Sequence, residues 1–214
     1  DIQRGHLHAV VGENGAGKST LIKIVSGVQM ADEGSVFFNG EALTAKTPLE
    51  AQQKGISVVH QELKLVETLT VKENIYLGHP LTDKFGVSMK KMREQAKAFL
   101  QRLGMEIDPD ELVINLSVAQ KQIVEICKAL SYNAELIIMD EPSATLTEGE
   151  LEILFQIIRD LKEQGITIVY ISHRLEEVFK LADEVTVLRD GKHIATLPVS
   201  QVDRNELIRL MVGR

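Results

Sequence analysis

The chain has 214 residues, 44% of them hydrophobic and 26% charged, which suits an ordinary globular protein of one domain or two small ones. Its net charge of −7 argues against a non-specific nucleic-acid binder, which needs basic surface, so no nucleic-acid partner is expected. No apolar run reaches the roughly 18 residues of a membrane span and no signal peptide is recognisable, so any work at a membrane is expected to be peripheral.

The pattern of apolar residues changes twice along the chain. Up to about residue 69 it predicts, in order, the strand HLHAVV, the helix STLIKIVSGV, the strand SVFFNG with an Asn-Gly turn, and the strand GISVVH. From about Thr70 to Leu130 strand patterns are absent, and the helical patterns are VKENIYLG, MKKMREQAKAFLQRLG and VAQKQIVEICKAL. After that, strands and helices alternate as ELIIMD, EGELEILFQIIRDLKEQG, ITIVYIS, RLEEVFKLA and EVTVLRDGKHIAT.

Strands that alternate with helices predict an α/β fold whose core sheet is mostly parallel and covered by helices on both faces. The predicted core comprises residues 1–69 and 131–214, and an all-helical subdomain comprises residues 70–130. A small antiparallel β part is also expected. It is predicted to be truncated here, because the opening DIQRG resembles the end of a strand whose pairing partner is missing.

A glycine-rich stretch, GENGAGKST at residues 12–20, follows the first predicted strand and opens the first predicted helix. It matches the P-loop pattern of glycine, any four residues, glycine, lysine, and serine or threonine. Glycines allow a tight turn whose N–H groups point at phosphate oxygens, while Lys18 supplies a cation and the Ser19 hydroxyl can bind Mg²⁺. The pattern therefore predicts nucleotide binding, against the alternative of a chance glycine-rich turn. The expected phosphate-binding residues are Gly12, Glu13, Asn14, Gly15, Ala16, Gly17, Lys18, Ser19 and Thr20.

Two acidic residues and a histidine follow later strands of the same predicted sheet. The strand ELIIMD ends in Asp140, Glu141 comes next, and His173 directly follows ITIVYIS. In such sheets the ligand lies at the carboxyl ends of the strands. Asp140 is expected to hold Mg²⁺ through water, Glu141 to polarise the attacking water, and His173 to contact the terminal phosphate. The competing interpretations are a solvated acidic strand end and a structural or surface histidine.

These motifs, in this order, resemble those of the ATP-binding subunits of ABC transporters, and the resemblance covers nearly the whole chain. The matching stretches are GENGAGKST for Walker A, VVHQEL for the Q-loop, LSVAQ for the signature, ELIIMDEP for Walker B, SATLT for the D-loop and ISHRLEEVF for the switch histidine. The resemblance implies that Glu141 is the catalytic glutamate, assisted by His173 and Gln61. It also implies that the nucleotide is ATP. Ser117 and Gln120 of this chain are then expected to contact the ATP that a facing subunit holds. The implied Mg²⁺ ligands are Ser19, Gln61 and Asp140.

Longer stretches carry a narrower resemblance, to the N-terminal half of monosaccharide importer ATPases of the ribose, xylose, arabinose and galactose types. They are GISVVHQELKLVETLTVKENIYLG, LSVAQKQIVEICKAL, ISHRLEEVFKLADEVTVLRDGK and ELIRLMVGR. This resemblance implies a peripheral ATPase at the cytoplasmic face of the cell membrane that powers uptake of a monosaccharide. The implied partners are a second ATPase half, in the same polypeptide or as a head-to-tail dimer, transmembrane permease subunits and, indirectly, a sugar-binding protein.

The chain departs from the family pattern in two places. The family's adenine-stacking aromatic residue lies farther upstream of Walker A than the 11 residues that precede Gly12, so it is expected to be absent together with its strand. The signature carries Val118 and Ala119 where the family has glycines, which adds Cβ atoms where the backbone approaches phosphate. We therefore expect weaker nucleotide binding than in an intact half and a weaker composite site at this signature. Because the resemblance implies that the signature of one unit acts on ATP held by the facing unit, the isolated chain is also expected to hydrolyse ATP poorly.

Two other functions compete with this interpretation. A soluble ABC-type ATPase of DNA repair or translation is disfavoured, because those machines usually carry long coiled-coil or basic insertions and this chain has neither. A nucleotide-sensing module without hydrolysis is disfavoured by the intact Asp140, Glu141 and His173.

Overall fold

The computed structural model of the chain describes residues 1–213, and it confirms the predicted α/β fold with a mostly parallel sheet. The strands are β1 Leu7–Val11, β2 Phe37–Phe38, β3 Glu41–Ala42, β4 Ile56–Val59, β5 Thr82–Asp83, β6 Gly86–Val87, β7 Leu136–Asp140, β8 Thr167–Ile171, β9 Glu184–Arg189 and β10 Lys192–Pro198. The α-helices are α1 Lys18–Val25, α2 Pro48–Gln53, α3 Val71–Ile75, α4 Met89–Arg102, α5 Val118–Ser131, α6 Glu148–Glu163, α7 Leu175–Leu181 and α8 Arg204–Val212. Within residues 1–213, no helix combines the length and apolar character needed to cross a bilayer.

Six strands form the central sheet, in the order β10-β9-β1-β8-β7-β4. β1 runs parallel to β8 and β9, β7 runs parallel to β8, and β10 is antiparallel to β9. The register pairs Ile171 of β8 with Val10 of β1 on one side and with Asp140 of β7 on the other. The carboxyl ends of these three neighbouring strands therefore reach the same edge of the sheet, where ligands of open α/β sheets bind.

Strand β1 is buried on both faces, which explains its uninterrupted apolar sequence LHAVV. Ala9 and Val11 belong to one apolar cluster, which also contains Leu207 of α8. Val10 belongs to a different cluster, together with Ile22 of α1. Alternate residues of a strand point to opposite faces, so helices cover this strand from both sides.

The chain divides into two compact units. The first comprises residues 1–58, 134–141 and 162–214 and contains nearly all of the central sheet. The second comprises residues 59–133 and 142–161, and in it α4 presents a buried stripe of Met92, Ala96 and Leu100. The subdomain boundaries predicted from the sequence, 1–69 and 131–214 against 70–130, stay a prediction.

Two local elements differ from the sequence prediction. The stretch without predicted strands contains the hairpin β5–β6, in which the Asp83 carboxylate accepts a hydrogen bond from the Phe85 N–H at 2.8 Å. Its strands have two residues each, too few for an alternating pattern to show. Helix α2 was also not predicted, although the Thr47 side chain caps it and Pro48 is its first residue, both of which are helix-start signals.

Candidate functional site

The glycine-rich stretch at residues 12–20 forms the connection between β1 and α1, at the carboxyl end of β1. Gly15 and Gly17 have φ of 84° and 102°, in the left-handed region that favours glycine. Gly12 is required for another reason, because a Cβ there would lie 2.4 Å from the carbonyl oxygen of Leu188 in β9. The three glycines of the motif are therefore demanded by the backbone itself.

A second turn of the same unit supports this loop. Asp190 and Gly191 join β9 to β10 and have φ of 51° and 72°. The Gly191 N–H donates a hydrogen bond to the Ala16 carbonyl oxygen at 3.2 Å. The glycine-rich loop thus rests on the β9–β10 turn, a contact that its own sequence motif does not predict.

Lys18 is the first residue of α1, and it is 9% exposed. Its Nζ donates hydrogen bonds to the carbonyl oxygens of Gly12, at 2.6 Å, and Glu13, at 3.0 Å. The ammonium therefore lies against the loop backbone, next to the exposed residues Glu13, Asn14 and Gly15. A cation beside a glycine backbone is the combination that binds phosphate in P-loops.

The start of α1 lacks the side-chain cap that is present at the starts of α2, α3 and α5. Within the described residues no side chain caps it, and its first turn contains no acidic residue. Ser19 and Thr20 are exposed in that turn. Since the first N–H groups of a helix lack intrahelical partners, this end carries positive partial charge, and an anion is stabilised beside it.

Asp140 ends β7 and is half-buried. Burial raises the pKa of its carboxyl, the charge of Glu141 raises the pKa further, and the charge of Lys18 lowers it in part. The parallel register of β7, β8 and β1 brings the end of β7 to the same sheet edge from which the glycine-rich loop begins. A crowded carboxylate of this kind is stabilised by a bound cation, and carboxylate and hydroxyl oxygens are ligands that Mg²⁺ accepts.

Glu141 and His173 are brought together at the ends of β7 and β8. Glu141 has φ of 47°, a left-handed conformation that is uncommon for a residue other than glycine, and its N–H donates to the Ile171 carbonyl oxygen at 2.9 Å. Its Oε1 lies 3.1 Å from Nδ1 of His173, whose side chain is 59% exposed. Strained backbone held by neighbouring structure is typical of functional positions. The pair therefore has the geometry of a carboxylate base held by an accessible imidazole.

The other predicted site residues belong to the second unit. Gln61 is exposed and lies two residues after the end of β4. The Ser117 hydroxyl accepts a hydrogen bond from the Gln120 N–H at 3.2 Å, while the Gln120 side-chain oxygen accepts one from the Ser117 N–H at 2.9 Å. LSVAQKQ is therefore a capping box that starts α5, a role it fills independently of any contact with nucleotide.

Two buried residues that were not predicted from the sequence anchor the segment after Gln61. The Asn74 side chain accepts from the Val66 N–H at 2.7 Å and donates to the Val66 carbonyl oxygen at 2.9 Å. Glu125 accepts from the Lys64 N–H at 2.8 Å, and burial raises the pKa of its carboxyl. Both precede an isoleucine in a helical pattern, and a polar residue inside an apolar stripe is the signal that could have identified them.

Comparison with known proteins agrees with this geometry. A family model described as ABC transporter matches residues 1–144. A putative ribose/galactose/methyl galactoside import ATP-binding protein of Agrobacterium fabrum is 52% identical over the whole of this chain, which covers 42% of that protein. The ribose import ATP-binding protein RbsA of Geobacillus kaustophilus is 49% identical over the whole chain, which covers 44% of it. The chain thus spans less than half the length of these curated relatives.

Solved structures agree as well. The ADP conformation of MJ1267, an ATP-binding cassette of an ABC transporter, has a TM-score of 0.85 and 31% identity, covering 100% of this chain and 90% of that one. A dimeric post-hydrolysis state of the ATP-binding cassette MJ0796, bound to ADP and Pi, has a TM-score of 0.78 and 25% identity, covering 93% and 88%. From the family match and the likeness of fold together, the chain belongs to the ABC transporter family.

Proposed function

We propose that the chain is an ATP-binding and ATP-hydrolysing domain that powers the uptake of a monosaccharide through an ABC importer. The observation that carries the proposal is the assembly, in one unit, of the glycine-rich loop with Lys18, Asp140, and the Glu141–His173 pair. The relatives described as ribose or galactose import ATP-binding proteins support the choice of a monosaccharide.

In this proposal the phosphates of ATP lie on the backbone of residues 12–20. The positive φ of Gly15 and Gly17, the cation of Lys18 and the uncapped start of α1 all favour a multiply charged anion there. The exposed Ser19 and Thr20 place hydroxyl groups at the same end of the helix. ATP therefore fits the loop through its phosphates.

The same region supplies oxygen ligands for Mg²⁺. Asp140 and Ser19 are the proposed ligands in the first unit, and the raised pKa of the Asp140 carboxyl is what a bound cation would relieve. Gln61 keeps the role that the family resemblance implies. When bound, Mg²⁺ would neutralise part of the negative charge of the phosphates, as phosphoryl transfer generally requires.

Glu141 is the proposed general base. Its Oε1 is engaged by His173, which leaves Oε2 to accept a proton from the attacking water. If Nδ1 of His173 donates to Glu141, then a hydrogen bond from Nε2 to a phosphate oxygen requires the imidazolium, since the neutral ring carries a single N–H. His173 would then fix the carboxylate and recognise the terminal phosphate at once.

The proposed partners are a second ATPase half and transmembrane permease subunits, with a sugar-binding protein acting indirectly. The relatives named as import ATP-binding proteins are more than twice as long as this chain, and the structural neighbours include a dimeric cassette. In the assembled transporter, Ser117 and Gln120 would contact nucleotide held by the second half. We place the chain at the cytoplasmic face of the cell membrane as a peripheral component.

Two substitutions test the proposal in the assembled transporter. General-base catalysis contributes roughly 10²–10⁴-fold, so Glu141→Gln is expected to lower ATP turnover by at least about 100-fold while ATP still binds. Lys18→Ala is expected to lower ATP binding itself. Nucleotide binding, phosphate release and uptake of radiolabelled ribose or galactose are the measurements.

A matched control is Glu148→Gln, since Glu148 is an exposed glutamate at the first position of α6. This variant is expected to keep wild-type turnover and uptake. Wild-type turnover in Glu141→Gln would refute the assignment of the base. Uptake of none of ribose, galactose, xylose and arabinose, each supplied radiolabelled to the intact transporter, would refute the choice of a monosaccharide of these types.

A further inference from the structure

A buried carboxylate lies beside the loop that carries His173, and the mechanism above does not use it. Glu177, in α7, is 3% exposed. Its Oε2 accepts hydrogen bonds from the Tyr170 hydroxyl at 2.9 Å and from the Ser172 hydroxyl at 2.8 Å. Burial of a carboxylate carries a desolvation cost that such donors offset only in part. An apolar residue at this position would avoid that cost.

The partners of Glu177 lie on both sides of His173. Before it, Ser172 donates to Oε2, and Tyr170 is the next-to-last residue of β8. After it, a guanidinium nitrogen of Arg174 lies 3.7 Å from Oε1. The Arg174 N–H also donates to the Ser172 hydroxyl oxygen at 3.0 Å, which closes a tight turn around His173. The carboxylate is therefore hydrogen-bonded to the residue before His173 and ion-paired, without a hydrogen bond to Oε1 from the described residues, to the residue after it.

The His173 side chain itself is largely exposed, and its contact in this unit is the 3.1 Å approach to Glu141. An exposed imidazole gains little order from packing, so its position depends on the backbone on either side. A displacement of about 1 Å in a reacting constellation can cost about 100-fold in rate.

We propose that Glu177 is a positioning residue for ATP hydrolysis, which holds the segment Ser172–Arg174 so that His173 stays against Glu141. This inference rests on the proposed function, because it assigns Glu177 a role in the same hydrolytic site. Glu177 does not contact the reacting atoms, and it acts through His173.

The test uses the assembled transporter and three variants of Glu177. Glu177→Leu keeps the volume but removes both acceptors, and it is expected to lower kcat for ATP roughly 10–100-fold with KM for ATP changed less than about twofold. Glu177→Gln keeps one oxygen that can accept from both hydroxyls, so it is expected to recover most of kcat. Glu177→Ala, which has no acceptor, is expected to behave like Glu177→Leu.

A double-mutant cycle separates positioning from a general effect on the fold. If Glu177 acts through His173, then adding Glu177→Leu to His173→Ala is expected to change single-turnover phosphate release by less than about twofold. A loss in the double variant equal to the product of the two single losses would overturn the inference. Should Glu177→Leu fail to fold, Tyr170→Phe removes one of the two hydroxyl donors and leaves the Ser172–Arg174 turn intact, and a smaller kcat loss and the same cycle with His173→Ala are expected.

The adjacent glutamate provides the control. Glu176 is exposed, and its carboxylate pairs with Arg204 at 2.9 Å, so Glu176→Gln is expected to leave kcat and KM unchanged. If the wild-type transporter does not hydrolyse ATP, the proposed function fails. If the wild type and Glu176→Gln hydrolyse ATP and Glu177→Leu does so at an equal rate, the positioning role alone fails.

Discussion

The starts of α1 and α5 solve the same structural problem in opposite ways. Both helices begin with N–H groups that lack intrahelical partners. At α1 the preceding residue is Gly17 in the left-handed conformation, and no described side chain caps the helix. At α5 the preceding residue is Ser117 in an extended conformation, and its hydroxyl and the Gln120 amide form a reciprocal capping box.

The difference indicates that the start of α1 is suited to bind a ligand, whereas the start of α5 is suited to stabilise the fold. The chain itself satisfies the donors at α5, and Val118 and Ala119 favour helix more than glycines would. At α1 the chain uses strained or glycine-only backbone, a buried cation and an uncapped end, each of which costs stability in exchange for anion affinity. Removing a glycine before α1 and introducing glycines at the start of α5 should therefore both destabilise the chain.

The largest effect is expected for Gly12→Ala in the glycine-rich loop. The new Cβ would meet the Leu188 carbonyl oxygen at 2.4 Å and the Ala16 Cβ at 2.9 Å, and neither neighbour is the end of a flexible side chain. Overpacking of this kind costs about 2–3 kcal/mol in the free energy of unfolding. Urea denaturation of the chain measures this loss, and ATP binding is expected to be lost with it.

Gly149→Ala is the matched control for that change. Gly149 lies in the first turn of α6, has no positive φ and would place its Cβ in open space. Alanine there is expected to stabilise the chain by about 0.5 kcal/mol, because it reduces the backbone freedom of the unfolded state. Equal destabilisation by both substitutions would mean that the contact with Leu188 is not what requires Gly12.

The second effect is expected for the double change Val118→Gly and Ala119→Gly, which gives the start of α5 the glycines of the family signature. Val118 is exposed, so little packing is lost, but each glycine costs backbone entropy. The expected loss is about 1 kcal/mol in the free energy of unfolding, with helical content largely kept because Ser117 and Gln120 remain. Urea denaturation followed by circular dichroism measures both.

The same double variant tests the expectation that the composite site at this signature is the weaker one. In the assembled transporter, restored glycines are expected to raise ATP turnover, since the added Cβ atoms no longer hold the backbone away from phosphate. Unchanged turnover together with the stability loss would mean that this segment serves mainly as the start of α5.

The two helix starts also differ in how much of their structure could be predicted from the sequence. GENGAGKST could be interpreted because its glycines answer a local backbone requirement, and the strand-end positions of Asp140 and Glu141 follow from sheet topology. LSVAQKQ resembles a signature without its glycines, and its Ser-x-x-Gln spacing also predicts the capping box that the structure contains. Its functional role stays a prediction.

Contacts between distant segments could not be predicted. The contact between the glycine-rich loop and the Asp190–Gly191 turn joins residues far apart in the chain. The sequence of the turn does not indicate which segment the turn contacts. The burial of Glu177 against Tyr170 and Ser172 likewise depends on how α7 packs on β8. Both contacts arise from tertiary packing, which overrides local preference and leaves only a weak trace in one sequence.

The smallest effect concerns charge in the glycine-rich loop's own unit. Burial and the charge of Glu141 raise the pKa of the Asp140 carboxyl above its ordinary value of 3.8. The folded chain therefore holds this proton more tightly than the unfolded chain, so Asp140 reduces the stability of the fold as the pH rises from the ordinary pKa through the folded-state pKa. Asp140→Asn is expected to have a higher free energy of unfolding than wild type at pH 7.5. The increase should be smaller than the losses expected for Gly12→Ala and for the double glycine variant. The difference between Asp140→Asn and wild type should narrow toward pH 4.

Denaturation in urea across that pH range checks the sign, with Asp32→Asn as the control, since Asp32 is an exposed aspartate. A gap that widens toward acid would contradict the raised pKa. Addition of ATP and Mg²⁺ should then reverse the order at pH 7.5, because a ligand stabilises the form that binds it and the charged carboxylate holds the cation more tightly than a neutral amide does. A site that destabilises the fold in the absence of its ligand would show both the higher stability of Asp140→Asn and its reversal by ATP and Mg²⁺. A segment whose polar groups are satisfied within the chain, such as the start of α5, would show neither.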